Sequence, residues 1–283
     1  MYAICIHLLQ CKFTTFCIQS QINFIFFILF IHNVFLYFIC MRYSKITTGT
    51  FIDRPNRFIA HINIEGNIET VHVKNTGRCK ELLLPGSKVI LEDFRNRPAF
   101  ENRKTKFDLI AVYKKIEQKN PLHTKIGSEI LINMDSQAPN KIVHEWLLSQ
   151  NTYDCIKPEY TYGNSRVDFY MEKKISVDGH PKIQKYLMEV KGCTLERNGQ
   201  GYFPDAPTER GVKHLHELTE ASKHGYRCIL AFVIQVPGVK TVLPNTETHP
   251  EFGAALQTAK DAGVEVLFLK CRIKEDEIVI IQN

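Results

Sequence analysis

The sequence predicts two domains. A five-stranded, OB-like β-barrel spans residues 41–120, and a mixed-sheet α/β domain spans 121–283. Three observations carry this. From residue 49 to 117 apolar residues recur with period two in short β-branched or aromatic runs. Beyond residue 120, strand-like runs alternate with stretches of helical period. Charge divides at the same place: residues 41–120 hold 16 Lys+Arg against 9 Asp+Glu, whereas 121–283 hold 19 against 21.

The barrel strands read as Gly49–Asp53, Arg57–Ile64, Asn67–Val73, Ser87–Asp93 and Phe107–Ile116, with Glu65-Gly66-Asn67 turning a hairpin. An SH3-like barrel fits this periodicity nearly as well. Residues 118–135 read as a polar connection, and Asp135 or Ser136 is placed to cap a helix over 138–150. Ile142, Val143, Trp146 and Leu147 form that helix's apolar stripe. Strands are predicted at 158–162, 166–172 and 185–191, then a helix from Pro207 to about 224 that Gly225 ends. A strand at 227–235, a helix at 249–262 and strands at 264–270 and 276–281 finish the chain.

The front of the chain is different. Residues 1–40 contain one charge, Lys12, with four of the nine cysteines and eight of the eighteen phenylalanines. Ile22–Cys40 is long and apolar enough for a membrane span. The break to ordinary globular composition at Met41 favours another reading, in which 1–40 is an upstream extension outside the folded protein. The remaining cysteines, at 79, 155, 193, 228 and 271, are odd in number, widely spaced and free of any CxxC pair. That pattern excludes a disulfide framework or zinc finger and points to a reducing, cytoplasmic setting. An apolar fraction of 44% with 23% charged residues excludes disordered, collagen-like and coiled-coil chains.

The basic surplus of the front domain points to a polyanion as partner, against the plainer reading of a solvated basic face. Arg54, Arg57 and Arg78 are candidate phosphate contacts, with Phe58 or Phe51 available to stack on a base. Asn75-Thr76-Gly77-Arg78 reads as a tight turn whose backbone amides are free to meet a phosphate. In the back domain Asp168 lies in Ser-Arg-Val-Asp-Phe, and Glu189-Val190-Lys191 lies in a later strand. Alternation puts Glu189 and Lys191 on one face, and pairing of the two strands brings Asp168 to Glu189. Two adjacent carboxylates repel, and a hard divalent cation such as Mg2+ relieves that repulsion. The plain alternative is a salt-bridged surface strand. On the next helix Arg210, Lys213, His214 and Glu217 fall at i, i+3, i+4 and i+7, a basic stripe suited to a phosphodiester backbone. Arg166 joins the candidate nucleic-acid contacts.

Four ordered motifs, Arg-Pro-Asn-Arg-Phe-Ile-Ala (54–60), Asn-Thr-Gly-Arg-Cys-Lys-Glu-Leu-Leu-Leu-Pro-Gly (75–86), the pair Ser-Arg-Val-Asp-Phe (165–169) and Met-Glu-Val-Lys-Gly (188–192), and Phe-Pro-Asp-Ala-Pro-Thr-Glu-Arg-Gly-Val-Lys-His-Leu (203–215), resemble the sugar fermentation stimulation protein (SfsA) family. The resemblance covers residues 41–283. Cys79 stands where methionine is more usual, and residues 173–184 lengthen the hairpin before Glu189. The resemblance implies DNA binding, an OB-like N-terminal domain and a C-terminal domain like the PD-(D/E)XK nucleases. It further implies that Asp168, Glu189 and Lys191 occupy the nuclease-signature positions, with Asp168 and Glu189 as Mg2+ ligands. Two functions follow as expectations: a magnesium-dependent nuclease acting on DNA, or a non-catalytic DNA-binding regulator of sugar metabolism that keeps the nuclease fold.

Overall fold

Alternating burial builds the first domain. The computed structural model describes residues 41–281 apart from 76, 96 and 98–102. Residues 1–40, with both readings of them, and Thr76 lie outside the described residues. A two-residue strand, β1 (Met41–Arg42), precedes β2 (Ile46–Asn56), β3 (Ile59–Ile64), β4 (Asn67–Val73), β5 (Lys88–Asp93) and β6 (Phe107–Lys115). In β3, Ala60, Ile62 and Ile64 are buried while the residues between them reach toward solvent. Glu65 and Gly66 turn the β3–β4 hairpin with φ of 50° and 87°, the left-handed pair a two-residue loop requires.

Strand β2 pairs with both β3 and β5, β5 pairs with β6, and β4 closes onto β6 in parallel at His72↔Asp108 and Val73↔Leu109. The first barrel strand thus sits between the second and fourth, and the third closes on the fifth. This is OB-like connectivity, which sets the SH3-like alternative aside. Phe51, one of the two proposed stacking aromatics, is 3% exposed and belongs to the barrel core.

Two departures concern the domain boundary. Residues 118–135 are more than a polar connection: after a single helical turn at His123–Ile126, β7 (Glu129–Asn133) extends the barrel sheet on β6. Strand β1 pairs instead with the last strand, at Met41↔Ile278. Each end of the barrel segment is therefore tied into, or leads straight to, the second domain.

That domain is a seven-stranded mixed sheet ordered β1-β16-β15-β13-β10-β9-β8, from β8 (Cys155–Tyr162), β9 (Ser165–Val177), β10 (His180–Cys193), β13 (Arg227–Ile234), β15 (Glu265–Ile273) and β16 (Glu277–Ile280). Helix α1 (Ala138–Gln150) packs Ile142, Val143 and Leu147 against Val190, Ile229 and Ala231 on one face. Helices α2 (Glu209–Lys223) and α3 (Pro250–Asp261) cover the other, where Leu215, Leu218 and Phe252 meet Leu230 and Phe232. A small sheet of β11 (Leu195–Arg197), β12 (Gln200–Phe203) and β14 (Val242–Pro244) lies beside it. Asp135 does not cap α1 as its N-cap residue, Gln137; it accepts the Gln137 N–H from two residues upstream, at 2.9 Å. Thr208, next to Pro207, caps α2 by accepting from Gly211 N.

A buried polar network joins the two domains. Lys74 lies 3.3–3.5 Å from Glu92, Asp108 and Asp135, and Tyr43 Oη donates to Asp135 Oδ2 at 3.2 Å. Asn133 donates to Tyr43 Oη and accepts from Gln235 Nε2, carrying the network from the barrel into the loop after β13. Among the described residues no helix is long and apolar enough to cross a membrane.

Candidate functional site

The site forms where two paired strands part. The β9–β10 ladder runs from Val177↔His180 to Phe169↔Met188 and stops there. At the next position the Asp168 side chain takes over from the ladder: its Oδ2 accepts the Val190 N–H at 2.7 Å. Its Oδ1 accepts from Asn140 Nδ2 of α1 at 2.8 Å. On β10, Val190 is buried toward α1, so Glu189 and Lys191 point to the opposite face, under α2. Asp168, Glu189 and Lys191 line one pocket of about 390 Å3.

Glu189 is 2% exposed and heavily engaged on one oxygen. Lys191 Nζ donates to its Oε1 at 2.5 Å, and His214 Nδ1 meets the same atom. Arg210 Nε donates to His214 Nε2 at 3.3 Å, so the ring proton sits on Nδ1 facing Glu189. The second oxygen, Oε2, is buried with no hydrogen-bond partner. Burial and then the neighbouring Glu189 charge push the Asp168 carboxyl up. Burial also acts to raise Glu189, but the His214 hydrogen bond and the Lys191 charge outweigh it and hold that carboxyl below its ordinary value. The two carboxyls are thus driven apart, a pattern associated with sites where acid and base roles are divided.

An orphaned, buried carboxylate oxygen beside a second, half-buried carboxylate fits a hard cation. Mg2+ binds through one or two carboxylates and completes its shell with water and phosphate oxygens. No larger metal-binding group of three or more His, Cys, Asp or Glu side chains occurs among the described residues. The residues that could hold a cation here are Asp168 and Glu189, in the pocket that Asp205 also lines.

The remaining predicted residues separate into three groups. Asn75 and Gly77 from the barrel, with Arg210 and His214 from α2, line the carboxylate pocket. Arg57 and Arg78 line an adjoining cleft of about 820 Å3, and the Arg57 guanidinium lies 5.7 Å from the ring of Phe58, itself 50% exposed. Lys213 and Arg166 stand apart from both. Lys213 turns outward to Glu217 at 3.6 Å, beside the 162–164 hairpin, and Arg166 pairs with Glu159 at 3.6 Å. The helix stripe therefore splits: i and i+4 face the pocket, whereas i+3 and i+7 face the 162–164 hairpin.

Two expectations at the Asn75–Arg78 turn need correction. Arg54 is not a free phosphate contact, because both of its terminal nitrogens donate to backbone carbonyls, of Gly77, Arg78, Arg57 and Asn75, at 2.6–2.9 Å. Nor is the Gly77 amide of the turn free. Gly77 N–H donates to Asn75 Oδ1 at 2.8 Å, and Gly77 packs so closely on Asp205 that an added Cβ would meet its carboxylate. The turn is a braced wall rather than an open phosphate cradle. Asp205, which braces it from the second domain, was not singled out by the residue reading, although it lies inside the Phe203–Gly211 motif. Asn140 has no local signal at all, since it reaches Asp168 only through packing of α1.

Comparison with known proteins bears on this arrangement. The family model of the SfsA N-terminal OB domain matches residues 52–119, and that of the sugar fermentation stimulation protein RE domain matches 137–277. A sugar fermentation stimulation protein homolog from Clostridium beijerinckii is 50% identical over 243 residues, 85% of this chain and 96% of that protein. The chain belongs to the SfsA family. A Desulfitobacterium hafniense homolog is 48% identical over 240 residues, 84% of this chain and 94% of that one. The solved structure of Pyrococcus furiosus SfsA in complex with Ca2+ has the same fold, with a TM-score of 0.67 at 24% identity over 85% of this chain and 95% of that chain.

Proposed function

We propose that this SfsA-family protein is a metal-dependent nuclease that hydrolyses phosphodiesters of DNA, with its barrel gripping the strand and its second domain cutting it. The observation that carries this reading is the pairing of Asp168 with buried Glu189, whose Oε2 is unpartnered, in a pocket that adjoins the cleft lined by Arg57 and Arg78. Burying that oxygen without a partner costs about 1–3 kcal/mol, which a bound cation would offset. The Pyrococcus furiosus relative was solved with Ca2+, another hard, oxygen-seeking cation.

Asp168 and Glu189 would hold Mg2+. Bound there, the cation supplies Lewis acidity at a phosphoryl oxygen and lowers the pKa of water at the site. Asn140 and the Val190 N–H fix the Asp168 carboxylate, so its free lone pairs keep their aim. Lys191 Nζ lies on the same pocket face and offers donors to negative charge that grows on the phosphate. Arg210 orients His214, which in turn holds Glu189. Arg57 and Arg78 position the neighbouring phosphates by charge.

The binder reading rests on a different observation: Glu189 Oε1 is already satisfied by Lys191 and His214, so the network closes partly on itself. Incubating the full chain with end-labelled DNA in Mg2+ or in EDTA separates the two. Cleavage that requires Mg2+ is expected; intact DNA in every metal tested would leave the regulator.

A further inference from the structure

The cleft that holds the carboxylates is pinched. Gly77 packs against Asp205 across it, so closely that an added Cβ would lie 2.1 Å from Asp205 Oδ2. The barrel turn and the Phe203–Thr208 segment therefore touch, dividing the cleft into compartments of about 390 and 820 Å3 that share Gly77, Phe203 and Asp205. Both volumes fall within the roughly 300–1,000 Å3 of small-ligand sites. Each is the size of a nucleotide or two. A double helix presents its phosphates on the outside of a wide rod whose bases stay stacked inside. Glu189, 2% exposed in the smaller compartment, is out of reach of such a rod.

A single strand meets no such obstacle. Its backbone torsions let one phosphate enter the small compartment while the adjoining base occupies the larger. The larger compartment has the mixed character that task requires. Arg57, Arg78 and Lys80 supply positive charge, and Leu83 and Phe203 supply an apolar wall. Phe203 is held edge-on by Phe252 and tilted against Phe232, so it offers a fixed surface. Phe58, half exposed, lies 5.7 Å from the Arg57 guanidinium that lines this compartment and offers a second ring beside it. Basic side chains interleaved with aromatic rings are the general means of holding unpaired bases.

We infer that the substrate of this site is single-stranded polynucleotide rather than duplex. The inference rests on the nuclease reading above and narrows it. The test uses the full chain, a labelled deoxyoligonucleotide of about 20 nucleotides, long enough for one OB-type site, and the blunt duplex of the same sequence. Binding is measured in EDTA and cleavage in Mg2+. The single strand is expected to bind and to be cut at least about tenfold better than the duplex, and Phe58→Ala is expected to weaken single-strand binding about tenfold. Duplex bound and cut as well as the single strand would overturn the inference and leave the nuclease reading intact. Preferential binding of the single strand with no cleavage in any metal would do the reverse. If neither form binds, both fail.

Discussion

Arginines 54 and 57 stand three residues apart and do different work. Arg54 fastens four backbone carbonyls with a planar fork that lysine cannot reproduce. Arg54→Lys should cost about 2–3 kcal/mol of stability in denaturant unfolding and weaken DNA binding indirectly, by loosening the Asn75–Arg78 turn. Arg57→Ala should leave stability within about 0.5 kcal/mol and lower the slope of log affinity against log salt by about one. If both variants changed only the salt slope, the structural role of Arg54 would be wrong. Asp93 makes a second residue-level case. Its carboxylate is fully buried, bound by Lys45 at 2.7 Å and by Arg95 through two bonds of 3.0–3.1 Å. Burial alone would raise its pKa, but these hydrogen bonds outweigh that and hold the group well below the usual carboxylate range. A depressed folded-state pKa gives stability that is present above the unfolded value near 4 and lost as pH falls through the folded one. Asp93→Asn should therefore be about 2 kcal/mol less stable at pH 7, and the gap should narrow only below about pH 4. A constant gap down to pH 2 would contradict the account. The residue types at both positions were legible in the sequence, but the partners were not. An arginine in a basic segment reads as a phosphate contact until the carbonyls around it are known.

At the scale of elements, strand β10 was the most readable part of the site. Period-two alternation in Met-Glu-Val-Lys-Gly places Val190 on one face and Glu189 with Lys191 on the other, as found, with Glu189 itself buried there. The glycine that follows has a packing cause that sequence does not reveal, since a Cβ on Gly192 would stand 2.5 Å from Gln235 Oε1 and 3.0 Å from Pro139. The α2 stripe was legible as a helix face but not as a divided one. Lys213 and Arg210 are about 60° apart around the helix by the 3.6-residue period, enough to put Arg210 in the pocket and Lys213 beside the 162–164 hairpin. Strands β7, β11, β12 and β14 escaped the periodic reading because runs of three to five residues such as Leu-Glu-Arg contain too few repeats to define a period. The braced turn gives the element-level prediction. Gly77→Ala drives a methyl into Asp205 Oδ2, and should cost about 1–3 kcal/mol by overpacking. Removing the obstacle in the double variant with Asp205→Ala should return part of that loss, so the two changes are non-additive. Strict additivity in a thermal unfolding series would show that the two loops do not touch.

For the whole molecule, charge marked a basic front half and ordered motifs located the family, whereas the expected boundary at residue 120 falls before β7, which extends the barrel sheet. They did not reveal how closely the halves are joined. Strand β1 lies at the start of the barrel segment yet completes the second sheet, and Lys74 shares its three carboxylates between the barrel and the connection to α1. Each apolar cluster also draws side chains from both domains. Residues 41–281 should accordingly unfold as one cooperative unit. Fluorescence of Trp146 in the second domain and amide exchange of the buried barrel strand β3 should report the same midpoint. Two separated midpoints would mean that the interface contributes little.

The central claim is that one pocket combines metal-dependent cleavage with DNA binding through groups that can be told apart. It is tested most directly by single-turnover cleavage in Mg2+, alongside binding in EDTA, for the parent chain, Asp168→Asn, Glu189→Gln and Lys191→Ala. The account predicts that all three variants lose cleavage by on the order of 10²-fold or more. In EDTA the two carboxylate variants should bind DNA as tightly as the parent or tighter, because a negative charge facing phosphate is gone, while Lys191→Ala binds slightly less tightly. Cleavage that persists at the parent rate in any of the three would contradict the account, as would a parent protein that binds DNA and cuts it in no metal.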